Sequence, residues 1–166
     1  MASDLKTLMA RHARPGLISW IGLRPARLAP VVQVDSAEAS EAGLAGDHYV
    51  SGGKRAVTLL QGEHLPVIAA LAALAEVDPA QLRRNVVVHG LNLAAVRHHP
   101  LRLGTALLRI SGPCAPCSRM ERVLGPGGYN AMRGHGGYYA EVLEPGCFAL
   151  GDAVVPEARE TTDRDI

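Results

Sequence analysis

The stretch Gly136–Pro156, GGYYAEVLEPGCFALGDAVVP, decides the fold class. Apolar, aromatic and β-branched residues flank Glu144-Pro145-Gly146. It reads as two strands joined by a Glu-Pro-Gly turn. Strand follows strand here without a helical crossover. Upstream, PLRLGTALLRISG (Pro100–Gly112) predicts a turn at Gly104 and a further strand. NVVVHG (Asn85–Gly90) and RAVTLLQ (Arg55–Gln61) are β-branched, apolar runs that read as buried strands. GLISWIGLRP (Gly16–Pro25) and RLAPVVQV (Arg27–Val34) add two more, the second edged or bulged by Pro30.

Three helices are expected beside these strands. EHLPVIAALAALAEV (Glu63–Val77) has strong helix formers, with Pro66 tolerable only near its start. Asp78-Pro79 fits a cap followed by proline at the first helical position, in a helix ending near Arg83. CSRMERVL (Cys117–Leu124) has helical spacing. Residues 35–54, rich in small and acidic side chains, read as a loop. Residues 1–16 read as a helical lead-in, 17–156 as the domain and 157–166 as a mobile polar tail. Strands and helices do not alternate regularly, so the expected fold is mainly β (α+β): a β-barrel with a few peripheral helices.

Composition narrows the function classes. With 166 residues, 48% of them hydrophobic, the chain can bury one real core. A net charge of +1 and 4% aromatics argue against an extended nucleic-acid surface or base-stacking platform, so no nucleic acid polymer is expected as partner. No secretory signal or membrane-length apolar run is visible, which predicts a soluble, cytoplasmic protein without a membrane partner.

The chemistry concentrates in GPCAPCSRM (Gly112–Met120). Its cysteines, Cys114 and Cys117, admit several readings. A structural zinc site needs four ligands, and only Cys147 and scattered histidines are left to complete one. A thiol–disulfide motif usually sits in a βαβ setting, which is absent. One thiolate can ligate a metal already held in a larger cofactor, with Arg119 nearby to favour the anion. The two residues also suit a plain turn.

The ordered segments GLAGDHY (Gly43–Tyr49), RAVTLLQGEHL (Arg55–Leu65), LRRNVVVHGLNL (Leu82–Leu93), LRLGTALLRISGPCAPCSRM (Leu101–Met120) and PGCFALGDAVV (Pro145–Val155) together resemble the MOSC domain, named for the C-terminal domain of molybdenum cofactor sulfurases. The resemblance covers residues 17 to 156, is strongest at Arg-x-Asn-Val-Val-Val and the Pro-x-x-Cys block, and implies a MOSC-type β-barrel. It implies Cys117 as the thiolate ligand of a molybdenum cofactor (molybdopterin), with Cys114 as a neighbouring cysteine. It implies Arg83 and Asn85 as cofactor contacts, where a guanidinium suits a phosphate and an amide a pterin edge. Thr58 and Gln61 are further candidates on the strand whose polar end faces the cofactor in the family.

The glycine-rich run GPGGYNAMRGHGG (Gly125–Gly137) is similar to that of short bacterial stand-alone members. Glycines let backbone approach a ligand, so Asn130, Arg133 and His135 are candidates to line the pocket, His135 as acid–base. The resemblance implies reduction of N-hydroxylated substrates, with electrons from a separate reductase. A second copy of the chain is a candidate partner. The alternative is a non-catalytic carrier that hands cofactor or persulfide sulfur to a partner enzyme. Neither the extra N-terminal domain nor the pyridoxal-phosphate domain of larger members is recognisable, so sulfur generation is not expected within this chain. His48 reads as structural, Asp47 as closing a turn and Trp20 as core.

Overall fold

The three consecutive valines of the strand after Asn85 are all buried, which a sheet with one wet face does not allow. The computed structural model, which describes residues 4–158, shows why. In chain order the strands are β1 (Gly16–Leu23), β2 (Val32–Gln33), β3 (Ser36–Ser40), β4 (Gly43–Leu44), β5 (Val57–Gln61), β6 (Val86–His89), β7 (Pro100–Leu103), β8 (Ala106–Pro113), β9 (Tyr138–Glu144), β10 (Gly146–Ala149) and β11 (Ala153–Pro156). The helices are α1 (Leu5–Met9), α2 (His64–Leu71), α3 (Pro79–Leu82), α4 (Ser118–Leu124) and α5 (Gly128–Met132). Strands run β11-β7-β8-β9-β5-β6-β1, and β1 pairs back onto β11 to close a barrel, with β2 extending one end of β1. All neighbours pair antiparallel except β5 with β6. The fold is mainly β, as the strand pattern predicts.

Val86 and Val88 point into the barrel with Leu59, Leu101 and Leu108. Val87 points outward, under a second layer made by Trp20, Leu60, Ile68, Met120 and Met132. A register shift between Ile18 and Trp20 lets β1 serve both layers, Ile18 and Ile21 facing in and Trp20 facing the helices.

Three expectations are corrected. The loop predicted over 35–54 contains β3 and β4. Its Ser-Ala-Glu-Ala-Ser strand alternates exposed and buried residues, with only the small methyls of Ala37 and Ala39 inward, so it lacks a β-branched signal. Its partner is β10, which explains the Glu-Pro-Gly turn: it carries the chain from the barrel strand β9 onto a separate three-stranded sheet, β10-β3-β4. The helix expected to reach Val77 stops at Leu71. Ala73 takes a left-handed φ of 56°, and the N–H groups of Leu74 and Ala73 bond back to Ala69 and Ala70. This is the usual glycine-type helix stop, made here by alanine. Finally, the three expected helices are joined by a further one, α5, inside the glycine run. Of the predicted tail 157–166, residues beyond Ala158 lie outside the described ones, and Glu157 accepts a hydrogen bond from Arg102 Nε at 2.7 Å. Among the described residues no helix is long and apolar enough to cross a membrane.

Candidate functional site

β8 delivers Pro113 and Cys114 to one end of the barrel, and Cys117 caps the start of α4. The two thiols meet different surroundings. Cys114 is buried at 5% exposure, whereas Cys117 is exposed. Burial pushes the Cys114 thiol above its ordinary value, and the charges of Arg84, Arg24 and Arg55 and a bond with Tyr139 only partly oppose this. Cys114 is therefore a protonated thiol at neutral pH.

Arg83 and Arg84 part at the end of α3. Arg83 adopts a left-handed φ of 56°. Its guanidinium donates to the carbonyls of Ala26, Arg27 and Ala29, pinning the loop before β2. Arg84 donates to the carbonyls of Gly136 and Leu82. Arg83, Arg119 and Arg122 line one open groove of about 500 Å³, with Val31 and Ala80 among its apolar walls. Among the described residues neither Arg119 nor Arg122 has a carboxylate partner.

A second cavity, of about 300 Å³, lies against Pro113–Pro116, with Tyr129, Arg133 and Tyr138 on its wall. Cys117 stands between the two cavities in the chain. Glycines build this wall by close approach. A Cβ on Gly136 would lie 2.5 Å from the Cys114 carbonyl oxygen, and one on Gly137 would lie 2.2 Å from that of Leu59. The bond from Cys114 N–H to the Gly137 carbonyl, 2.9 Å, closes the segment. So Gly136 and Gly137 are required by packing, not by a ligand.

Asn85 and Thr58 form a buried hub. Asn85 Nδ2 donates to Gly22 O (3.0 Å) and Asp47 Oδ2 (2.8 Å), and Oδ1 accepts from the N–H and the hydroxyl of Thr58, both at 3.1 Å. The Thr58 hydroxyl in turn accepts from Asn85 N–H at 2.8 Å. Asp47 also accepts from Arg24 Nε and Nη2 at 3.0 Å and from the N–H groups of Arg24 (3.1 Å) and Tyr49 (3.0 Å). Burial raises the Asp47 pKa, but these donors outweigh it and hold the carboxyl below its ordinary value. Asp47 is thus a hub, where the sequence suggests only a turn. Its signal, together with Arg24 and Arg84, is missed because the three lie far apart in the chain.

The remaining candidates separate. Arg133 lines the smaller cavity, while Asn130 is exposed on α5 and makes no part of that wall. His135 is not on it either: its ring meets His64 edge to face at 5.0 Å and its Nδ1 faces the Ala131 carbonyl. The acid–base role expected for His135 has no support in this placement. Gln61 sits with Glu63 and Leu93, bonded to both, at the other end of β5 from Thr58.

No group of three His, Cys, Asp or Glu side chains that could hold a metal ion occurs among the described residues. No buried side-chain polar atom among them lacks a partner. A cofactor must therefore use the open groups. For molybdopterin the fit is good at Cys117, a soft donor, and at the groove of Arg83, Arg119 and Arg122, which suits a phosphate. Asn85 and Thr58 do not fit as direct contacts, because their hydrogen-bonding capacity is spent on the protein.

The MOSC domain profile matches residues 45–155. The chain belongs to the MOSC domain family. This MOSC protein is also similar in structure to the YUAD protein from Bacillus subtilis, at a TM-score of 0.75 and 17% identity, over 85% of this chain and 94% of that one. YiiM from Geobacillus stearothermophilus aligns at a TM-score of 0.73 and 20% identity, over 87% and 76% of the two chains. YiiM from Escherichia coli aligns at 0.67 and 23%, over 88% and 72%. At these identities the likenesses carry the fold alone. No curated protein matches the sequence.

Proposed function

We propose that this MOSC protein binds a molybdenum cofactor and reduces N-hydroxylated compounds. The observation that carries the reading is the exposed thiol of Cys117, two residues before Arg119 of an open groove that Arg83, Arg119 and Arg122 line, in a family named for molybdenum cofactor sulfurases. Cys117 Sγ would be the thiolate donor to the metal. The groove would hold the anionic part of the cofactor, Arg119 and Arg122 with guanidinium groups that have no carboxylate partner among the described residues and Arg83 with what its loop contacts leave open. When bound, the cofactor supplies a two-electron reduction, in which R–NHOH, two electrons and two protons give R–NH2 and water. The protein's own part is to exclude water and supply protons. The phenol O–H groups of Tyr129 and Tyr138 are the proton donors on the wall of the adjoining cavity. Electrons come from a separate reductase.

The test is expression in cells that make the cofactor, followed by elemental analysis and turnover with a reductase and an N-hydroxylated amine. Stoichiometric molybdenum with turnover supports the reading. Stoichiometric molybdenum without turnover, at any donor, marks a carrier. Turnover by metal-free protein overturns the mechanism.

A further inference from the structure

α2 is apolar on both sides. From Leu65 to Ala75 the chain has no polar or charged side chain. Ile68, Ala69 and Ala72 are buried against the second layer of the core. On the other side Val67, Ala70 and Leu71 stand at i, i+3 and i+4, and all three are exposed, Leu71 at 58%. Leu74, in the turn that stops the helix, is exposed as well. A surface helix turns polar residues to water, whereas one that is apolar all round is covered all round. α1 raises the same question. Leu5, Leu8 and Met9 form one exposed stripe, and α1 buries none of its residues. The two helices approach the same place: Ala13 and Arg14, just after α1, line one open cavity with Glu63 and His64 at the start of α2.

Charge says what covers these stripes. A two-fold dimer lays a surface against its own copy, so a charged patch would repel itself, and an uncharged one does not. The ends of α2 carry opposite signs. Arg14 stands by its start, and Glu76 follows its stop. Neither has an ion-pair partner among the described residues, while Asp78, the next acid, is spent on capping α3. When α2 lies antiparallel on its copy, each Glu76 comes to the Arg14 of the other chain, and the helix dipoles oppose favourably. Area brings in α1. α2 has eight residues, about 12 Å of helix, and one such face falls well short of the roughly 800 Å² per partner of a stable interface.

We propose that α2 and α1 form a two-fold interface between two copies of this chain. Val67, Ala70, Leu71 and Leu74 of each copy pack at its centre, where Ala70 lets the helices approach closely. The α1 stripes flank them, and the Arg14–Glu76 pairs close its rim. This does not rest on the reductase reading: none of these residues lines the Arg83 groove or the cavity beside Cys114.

Sedimentation of the full chain from about 1 to 300 μM tests this. A reversible monomer–dimer equilibrium is expected, with Kd on the order of 10 μM for an interface of this size. Leu71→Glu raises Kd by at least about 50-fold, and Leu8→Glu by about tenfold, with little change in the unfolding of the monomer because both side chains are exposed. Arg14→Glu and Glu76→Arg each weaken the dimer by about fivefold, and the double reversal restores it to within about twofold. That rescue is one that damage to the fold would not give. A parent that stays monomeric throughout overturns the proposal, whether α1 then covers its own α2 or the chain instead binds vesicles of anionic phospholipid. A dimer that survives Leu71→Glu overturns it too, as does a double reversal that is weaker than either single change.

Discussion

Two regions share one end of this barrel and treat their polar groups in opposite ways. Around Asn85, the groups of Arg24, Asp47 and Thr58 are buried or half-buried and bonded to one another. Around Cys117, the side chains of Arg119, Arg122 and Arg133 face open grooves with no carboxylate partner among the described residues. One short motif of this chain holds both kinds of residue. Arg-x-Asn illustrates this: Arg83 lines the groove, while Asn85, two positions on, is sealed in the sheet. The difference separates polar groups spent on holding the barrel end together from polar groups left open at its rim.

The largest effect expected from breaking the comparison is on stability. Asn85→Ala leaves the Thr58 N–H, the Gly22 carbonyl and one Asp47 bond without a partner in a buried place. A loss of about 3 kcal/mol is expected, read by denaturant unfolding of the metal-free protein. An Asn85 that acted only on a cofactor would leave that curve unchanged. Next is Cys117→Ser, the reverse case. Its side chain is exposed, so unfolding should shift by under about 0.5 kcal/mol, while bound molybdenum falls by at least about 100-fold. Equal molybdenum in the two proteins would end the ligand assignment. Smaller again is Arg119→Ala. It removes one of the groove's charges, and about a tenfold loss of cofactor affinity is expected, growing weaker as salt rises. A loss that ignores salt would mean the groove acts by packing.

Much of the barrel is legible from residue order alone. The β-branched runs at 57–61 and 86–89 and the strand after Gly104 stand where their patterns put them. Elements that lack a side-chain signal are not legible. β3 has alanines inward, and alanine favours helix in isolation; its partner, β10, lies over a hundred residues away and imposes the strand. The stop at Ala73 needs a left-handed backbone that no residue type there announces. At the site, the cysteines and the arginines of 83 and 119 are visible as chemistry. Their states are not: that Cys114 is buried, Cys117 open and His135 turned to His64 depends on how α2, α4 and α5 pack. Only contacts distant in sequence decide that.

The smallest expected effect concerns that packing. Burial lowers the His64 pKa below its ordinary 6.5, and His135 adds to this, with Glu63 opposing. In the window between the folded value and 6.5, the unfolded chain binds more protons than the folded one, so stability rises with pH there. The contribution is complete above about pH 6.5 and is lost as pH falls through the folded value. The carboxylates held low, Asp47, Glu63 and Glu121, start from ordinary values of 3.8 and 4.5, so they act in a more acid range and leave the histidine window clear. Thermal unfolding from pH 7.5 down to pH 5.5 should therefore show a falling midpoint in the parent and a flatter one in His64→Gln. A parent midpoint that stays level across the window would show that burial between α2 and the segment after α5 does not disfavour the charged imidazole of His64.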